Sequence, residues 1–167
     1  MRRALFAAMA TAGLTTAGLT TAGVQAAEPA TPGLEFVLEE VVKLSPAVEV
    51  GKTERGNRRY IPIVGGRFEG PGIAGTIVPG GWDWQLDRAD GCVELKADYF
   101  LKTDDGVTIN VLNQGTICPG QPVRTHPVLE APIGKYDWLN KAAFVGTLEG
   151  ADPADGPAVK IRFYRLK

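Results

Sequence analysis

The sequence is poor in the residues on which most enzyme chemistry depends. It holds a single serine, Ser45, and a single histidine, His126, each followed by proline. A serine triad would have to use both, and no nucleophile-elbow motif surrounds Ser45. His126 alone reads as a loop residue. Only two cysteines are present, Cys92 and Cys118. Their spacing is not the Cys-x-x-Cys of a redox pair. No cluster of His, Cys and carboxylates at ligand spacing suggests zinc, so neither metal nor cofactor is expected. Past residue 26 there is no apolar run long enough to span a bilayer. The one basic block, Arg55-Gly56-Asn57-Arg58-Arg59, is too short for a nucleic-acid footprint.

Two motif matches are empty as well. Residues Gly70 to Gly75 spell G-x-G-x-x-G, but a dinucleotide fingerprint must open a helix. Here Pro71 sits inside it, and Ile73 to Val78 continues as a β-branched run. Asp152-Pro153-Ala154-Asp155-Gly156 lacks the closing Glu of a calcium loop and reads as a turn.

The N-terminus has the layout of a secretory signal peptide. Met1-Arg2-Arg3 is a positive n-region, an Ala/Leu/Thr/Gly stretch follows to Val24, and Val24-Gln25-Ala26-Ala27 is a small-x-small site. The stretch is too weakly apolar for a membrane anchor, and its Thr-Ala-Gly-Leu-Thr repeat is low complexity rather than a structural unit. Residues 1–26 are therefore expected to be removed, leaving residues 27–167 as one exported domain of ordinary size. Without Arg2 and Arg3 the 18 basic residues fall to 16 against 19 acidic ones. The expected location is the periplasm or the exterior.

Gly and Pro punctuate short apolar stretches along the rest of the chain, the pattern of many strands joined by turns. Expected strands are Leu34–Lys43, Arg58–Val64, Ile73–Val78, Trp82–Asp87, Cys92–Thr103, Val107–Cys118, Ala142–Leu148 and Ala158–Leu166. The first also fits a helical face, and the β context decides for strand.

One hairpin can be registered. Asp104-Asp105-Gly106 is a three-residue loop ending in Gly, a type I turn with a bulge, so Thr103 faces Val107. Pairing outward sets Leu101 against Ile109, Tyr99 against Val111, Ala97 against Asn113 and Leu95 against Gly115 on one apolar face. The other face is mainly polar, and Cys92 lands opposite Cys118. A slip of one residue would lose all of this. The cysteines are thus expected to form a structural disulfide, with Cα atoms about 5.5–6 Å apart.

The residues left to carry function are aromatic, amide and acidic. A four-residue turn at Arg88–Gly91 would put Trp84 beside Leu95 on the inner face, with Asp83 outside. A five-residue turn would reverse the two, and the sequence leaves this open. Tyr99 and Asn113 lie on the inner face, where a polar group needs a partner. Tyr136-Asp137-Trp138-Leu139-Asn140 is a second aromatic and amide cluster.

These stretches resemble the bacterial family known as domain of unknown function 3237. The resemblance rests on Leu34-Glu35-Phe36, Ile61-Pro62-Ile63, Gly65-Gly66, Phe68-Glu69-Gly70, Gly80-Gly81, Asp83-Trp84-Gln85 and Asp90-Gly91. It continues through Tyr99, Thr103, Asp105-Gly106, Ile109, Asn113, Gly115, and Tyr136 with Trp138-Leu139-Asn140. Leu129 stands where an aromatic is usual, and Pro119–Val123 is shorter than in many members. The resemblance implies a closed antiparallel β-barrel of calycin-like appearance, with no agreed activity. An export signal and a cysteine pair are not general to it.

The expected fold is therefore all-β, a single closed antiparallel barrel. The expected function is binding of a small apolar or aromatic molecule in the barrel mouth by Trp84, Tyr99, Asn113, Tyr136, Trp138 and Asn140. Two alternatives stand beside it. One is a lyase- or isomerase-type enzyme with Asp83, or Asp105, as acid or base. The other is an interaction module with a filled barrel. A buried carboxyl facing the cavity with a raised pKa would favour the enzyme.

Overall fold

Alternation of apolar and polar residues governs the chain from Leu34 onward, and the computed structural model resolves it into nine antiparallel strands. It describes residues 30–167; the expected signal peptide and its cleavage site lie outside them. The strands are β1 (Leu34–Leu44), β2 (Val48–Thr53), β3 (Gly56–Gly70), β4 (Ile73–Asp87), β5 (Val93–Thr103), β6 (Thr108–Ile117), β7 (Arg124–Glu130), β8 (Phe144–Gly150) and β9 (Ala158–Leu166). They follow one another around the sheet in the order β1-β9-β8-β7-β6-β5-β4-β3-β2, and a further pairing of β1 with β3 closes eight of them into a barrel. β2 continues the edge that β1 leaves: β3 pairs with β2 over Gly56–Tyr60 and with β1 over Ile63–Glu69. Closure removes the free edges that an open sheet would expose. Among the described residues no helix is long and apolar enough to cross a membrane.

The β5–β6 register matches the sequence reading pair for pair, from Lys102 opposite Thr108 to Val93 opposite Ile117. The turn works because Gly106 has φ 87°, a left-handed conformation that costs glycine little. Cys92 and Cys118 are joined by a disulfide with S–S 2.09 Å. Their Cα atoms are 4.4 Å apart, closer than expected and typical of a directly opposed pair that exchanges no backbone hydrogen bonds.

Elsewhere the chain departs from expectation. The Pro79-Gly80-Gly81 segment does not end a strand: it is a bulge within one continuous β4, lying between the pairs Val78–Phe100 and Trp82–Asp98. Tyr99 on the neighbouring strand is the reason it must be glycine. A Cβ on Gly81 would come within 2.5 Å of the Tyr99 Cβ. His126 is not in a loop but exposed on β7. β2 and β7 lie outside the strands expected from the sequence, and they run through Gly51 and Pro127 respectively.

The two ends of the barrel differ. Around the end where β5 finishes and β6 begins, Val37, Phe68, Ile73, Leu101, Ile109 and Phe144 form a continuous apolar core. The 3-10 turn Asp137–Lys141 contributes buried Leu139 to that core, and Tyr136 joins it just before the turn. The middle of the barrel and the opposite end, near the disulfide, carry buried Glu40, Gln85, Asn113 and Thr125.

Candidate functional site

Parity along β1 sends Leu38, Glu40 and Val42 to the same face, and all three are fully or almost fully buried. Glu40 lies between Phe68 on β3 and Ile161 on β9, both apolar and buried. A carboxyl in that setting is desolvated with no cation to compensate. Burial pushes its pKa up to about 8, against which only the Tyr99 hydrogen bond acts. The Tyr99 hydroxyl donates to Glu40 Oε2 at 2.5 Å. Glu40 Oε1 has no partner. Tyr99 is itself held far above the ordinary tyrosine range by burial and by the nearby carboxyls of Glu40 and Asp83, so it remains a neutral donor.

The second carboxyl is Asp83. Asp87 pairs with Val93 and Gln85 with Leu95, so the connection from β4 to β5 is the five-residue turn Arg88–Cys92. Asp83 therefore faces inward opposite Ala97, and Trp84 faces outward opposite Lys96. A chain of hydrogen bonds holds the Asp83 side chain. Arg59 Nη1 donates to Asp87 Oδ2 at 2.8 Å and Arg59 Nε to Gln85 Oε1 at 2.9 Å; Gln85 Nε2 donates to Asp83 Oδ2 at 2.7 Å. The other oxygen, Oδ1, is buried without a partner. Desolvation raises the Asp83 pKa, opposed by the Gln85 bond, the Lys96 backbone and the Arg59 charge.

Asn113 and Thr125 complete the lining. Asn113 is next to Ala97, in the same cross-strand row as Asp83, with buried Pro127 on its other side. Its Oδ1 is unpartnered, as is Oγ1 of buried Thr125. Four unpartnered buried oxygens in one barrel interior are unusual, since buried polar atoms are nearly always paired. Asp83 as a whole is only half-buried, the least enclosed of the four.

Of the sequence-predicted residues, Tyr99, Asn113 and Asp83 are thus brought into one interior. Trp84 is not: it lies outside, 38 % exposed, because the turn has five residues. Nor does the second cluster join them. Tyr136 donates its hydroxyl to Asp105 at 3.1 Å. Asn140 exchanges two hydrogen bonds with the Ala131 backbone. Trp138 packs near Phe144, with Arg165 over its ring. These three fasten the 3-10 turn to the apolar end of the barrel. Asp105 is a tether too. Lys135, Thr103 and Tyr136 all donate to it, and together they hold its pKa down to about 2, unsuited to proton transfer near neutrality. Glu40 escaped the sequence reading, although an acid flanked two residues away by Leu38 and Val42 was the available signal.

Known proteins share this barrel. The UPF0311 protein RPA1785 of Rhodopseudomonas palustris is 35 % identical over 136 residues, covering 70 % of this chain and 89 % of its own. Its crystal structure, described as a conserved protein of unknown function, aligns with TM-score 0.75 over 83 % of this chain and all of that one. A β-barrel-like protein of Acinetobacter baumannii aligns with TM-score 0.75 at 31 % identity, covering 84 % of this chain and 99 % of that one. A Penicillium herquei protein described as an enzyme aligns with TM-score 0.67, over 86 % of this chain and 100 % of that one; at 22 % identity the likeness is one of fold alone. Residues 32–123 match the family described as "Protein of unknown function (DUF3237)". With that match and the identity to the R. palustris protein, the chain belongs to the DUF3237 family.

Proposed function

We propose that the protein takes a small, uncharged organic molecule into the polar part of the barrel interior and moves a proton on it, with Glu40 as acid and Asp83 as base. The observation that carries this reading is Glu40: a buried carboxyl, neutral at neutral pH, with Tyr99 on one oxygen and nothing on the other. Because Tyr99 donates to Oε2, the proton of the neutral acid belongs on Oε1, the oxygen left free for a ligand. Asp83 is the complementary group. Its hydrogen-bonded Oδ2 and the nearby Arg59 favour the carboxylate, and Oδ1 remains free to accept a proton. Burial raises both carboxyls, but only one hydrogen bond opposes it at Glu40, whereas the Gln85 bond, the Lys96 backbone and the Arg59 charge oppose it at Asp83. Unequal surroundings of this kind divide acid from base.

The lining also bears on the substrate. Asp83 Oδ1, Asn113 Oδ1 and Thr125 Oγ1 can each accept a hydrogen bond, which favours a ligand with O–H or N–H groups. Arg59, the cation acting on Asp83, is already engaged by Asp87 and Gln85, so a negatively charged ligand would meet the Asp83 carboxylate with no free cation beside it. Isomerisation suits this equipment. Asp83 removes one proton, Glu40 supplies another, and exchange with solvent restores both.

The test is a thermal-shift screen of neutral phenols, enols and lactams, followed by incubation of each hit in deuterated water. Solvent deuterium should enter the hit with wild type, and the rate should fall at least about 100-fold in Glu40→Gln and Asp83→Asn. Hits that bind without any exchange or turnover would leave a binding protein. That second reading is supported by Asn113 and Thr125, which are recognition groups rather than acids or bases. The disulfide is consistent with a periplasmic or extracellular site, and with the N-terminal pattern it supports export. Mass spectrometry of exported material should find the N-terminus near Ala27 or Glu28, and an intact Met1 there would refute export with cleavage.

A further inference from the structure

The outer wall of the barrel carries a second polar feature, separate from the interior. The registers place Tyr60, Trp84, Lys96, Gln114 and His126 in one cross-strand row on the outside of β3, β4, β5, β6 and β7. The β2–β3 turn brings Arg55 to this wall, and Arg58 follows on β3. Between them lies an open cleft of about 710 Å³, within the size range of small-molecule sites. Its charge is one-sided. The one acid lining it, Glu94, is already engaged by Arg55 at 3.4 Å and by Arg88 at 3.6 Å. Among the described residues neither Arg58 nor Lys96 enters an ion pair. Trp84 adds an exposed flat surface, braced by Tyr60 with ring centroids 5.7 Å apart.

We propose that this cleft is a binding site for a small aromatic carboxylate, whose ring lies on Trp84 and whose charge is met by Arg58 and Lys96. Aromatic stacking and a charge-assisted cation–carboxylate contact are the two interactions the residues offer. The interior offers the reverse, two carboxyls without a free cation, so an organic anion is directed to the wall and a neutral molecule to the core. Arginine suits a carboxylate particularly, since its planar fork can donate two parallel hydrogen bonds.

The probe is 2-naphthoate, titrated calorimetrically into the full exported chain, with 2-naphthalenemethanol as the uncharged analogue and galacturonate as the non-aromatic acid. Saturable one-site binding of naphthoate is expected. It should weaken about tenfold in Lys96→Gln and in Arg58→Gln and weaken with added salt. Trp84→Ala should lose the binding, its melting temperature reporting that the barrel is intact. Lys96 is exposed on the wall, so Lys96→Gln provides the test even if Trp84→Ala does not fold. Glu40→Gln should bind naphthoate as wild type does, which separates this site from the interior. Equal binding of the alcohol, preference for galacturonate, or no saturable binding of naphthoate would each overturn the proposal. So would loss of binding in Glu40→Gln with Lys96→Gln unaffected.

Discussion

Glu40 shows how much one side chain can impose on a barrel. Its carboxyl titrates at 4.5 in an unfolded chain and at about 8 in the fold. Between those values the unfolded chain has lost the proton that the native state keeps, so stability declines as pH rises through this window and levels off above it. The limiting slope for one such group is about 1.4 kcal/mol per pH unit. Asp83, also raised, adds to the decline with the same sign. Denaturation curves taken from pH 4.5 to pH 8 should therefore show falling stability in wild type and a clearly shallower fall in Glu40→Gln. Equal slopes would mean that Glu40 is not the buried acid described. Asn113 makes the opposite kind of prediction. Its Oδ1 satisfies no protein group, so Asn113→Leu should leave stability within about 0.5 kcal/mol while abolishing ligand binding. A loss of about 1–3 kcal/mol would instead mark it as a partner of a buried backbone group.

At the level of elements, the β5–β6 hairpin is held at both ends. The disulfide closes a separation of 26 residues, and in the chain-entropy model such a link contributes about 3–4 kcal/mol. Replacing both cysteines by serine should lower the unfolding free energy in urea by about that amount. At the other end, Asp105 ties the turn to Lys135 and Tyr136. Its depressed pKa means that the tether is complete above pH 3.8 and is lost as pH falls through about 2. Hydrogen exchange in residues 134–141 should accelerate in Asp105→Asn at neutral pH, with the far strands unaffected. The β4 bulge is constrained from the side. Gly81→Ala presses a methyl against Tyr99 and should destabilise by about 1–3 kcal/mol, besides disturbing the Tyr99–Glu40 bond.

For the whole molecule, closure brings distant ends of the chain together. Leu34 pairs with Leu166, and the Lys167 amide donates to the Gly33 carbonyl at 2.9 Å. Nearby termini make circular permutation feasible. A permutant joining Lys167 to Gly33 through a short Gly-Ser linker, and opened at the exposed turn near Gly120, should retain the β circular-dichroism spectrum and unfold cooperatively. Non-cooperative unfolding would show that the β6–β7 connection contributes more to closure than its exposure suggests.

The parts that local chemistry dictates were legible in the residues alone. Alternation and the Asp104-Asp105-Gly106 turn determined the β5–β6 register, the facing cysteines and the inward Tyr99 and Asn113, because side-chain parity propagates from a known turn. The number and spacing of short strands made the chain all-β, and the resemblance to the DUF3237 family supplied the closed barrel. Parity could not be carried across Arg88–Cys92, where one residue more or less exchanges Asp83 with Trp84, and only the paired strands decided that Asp83 faces inward. The same limit hid the continuity of β4, since the need for glycine at position 81 comes from Tyr99 on another strand. Glu40 is the clearest case. Its place among buried neighbours was readable from Leu38 and Val42, but its raised pKa and its contact with Tyr99, 59 positions away, exist only once the barrel has closed around it.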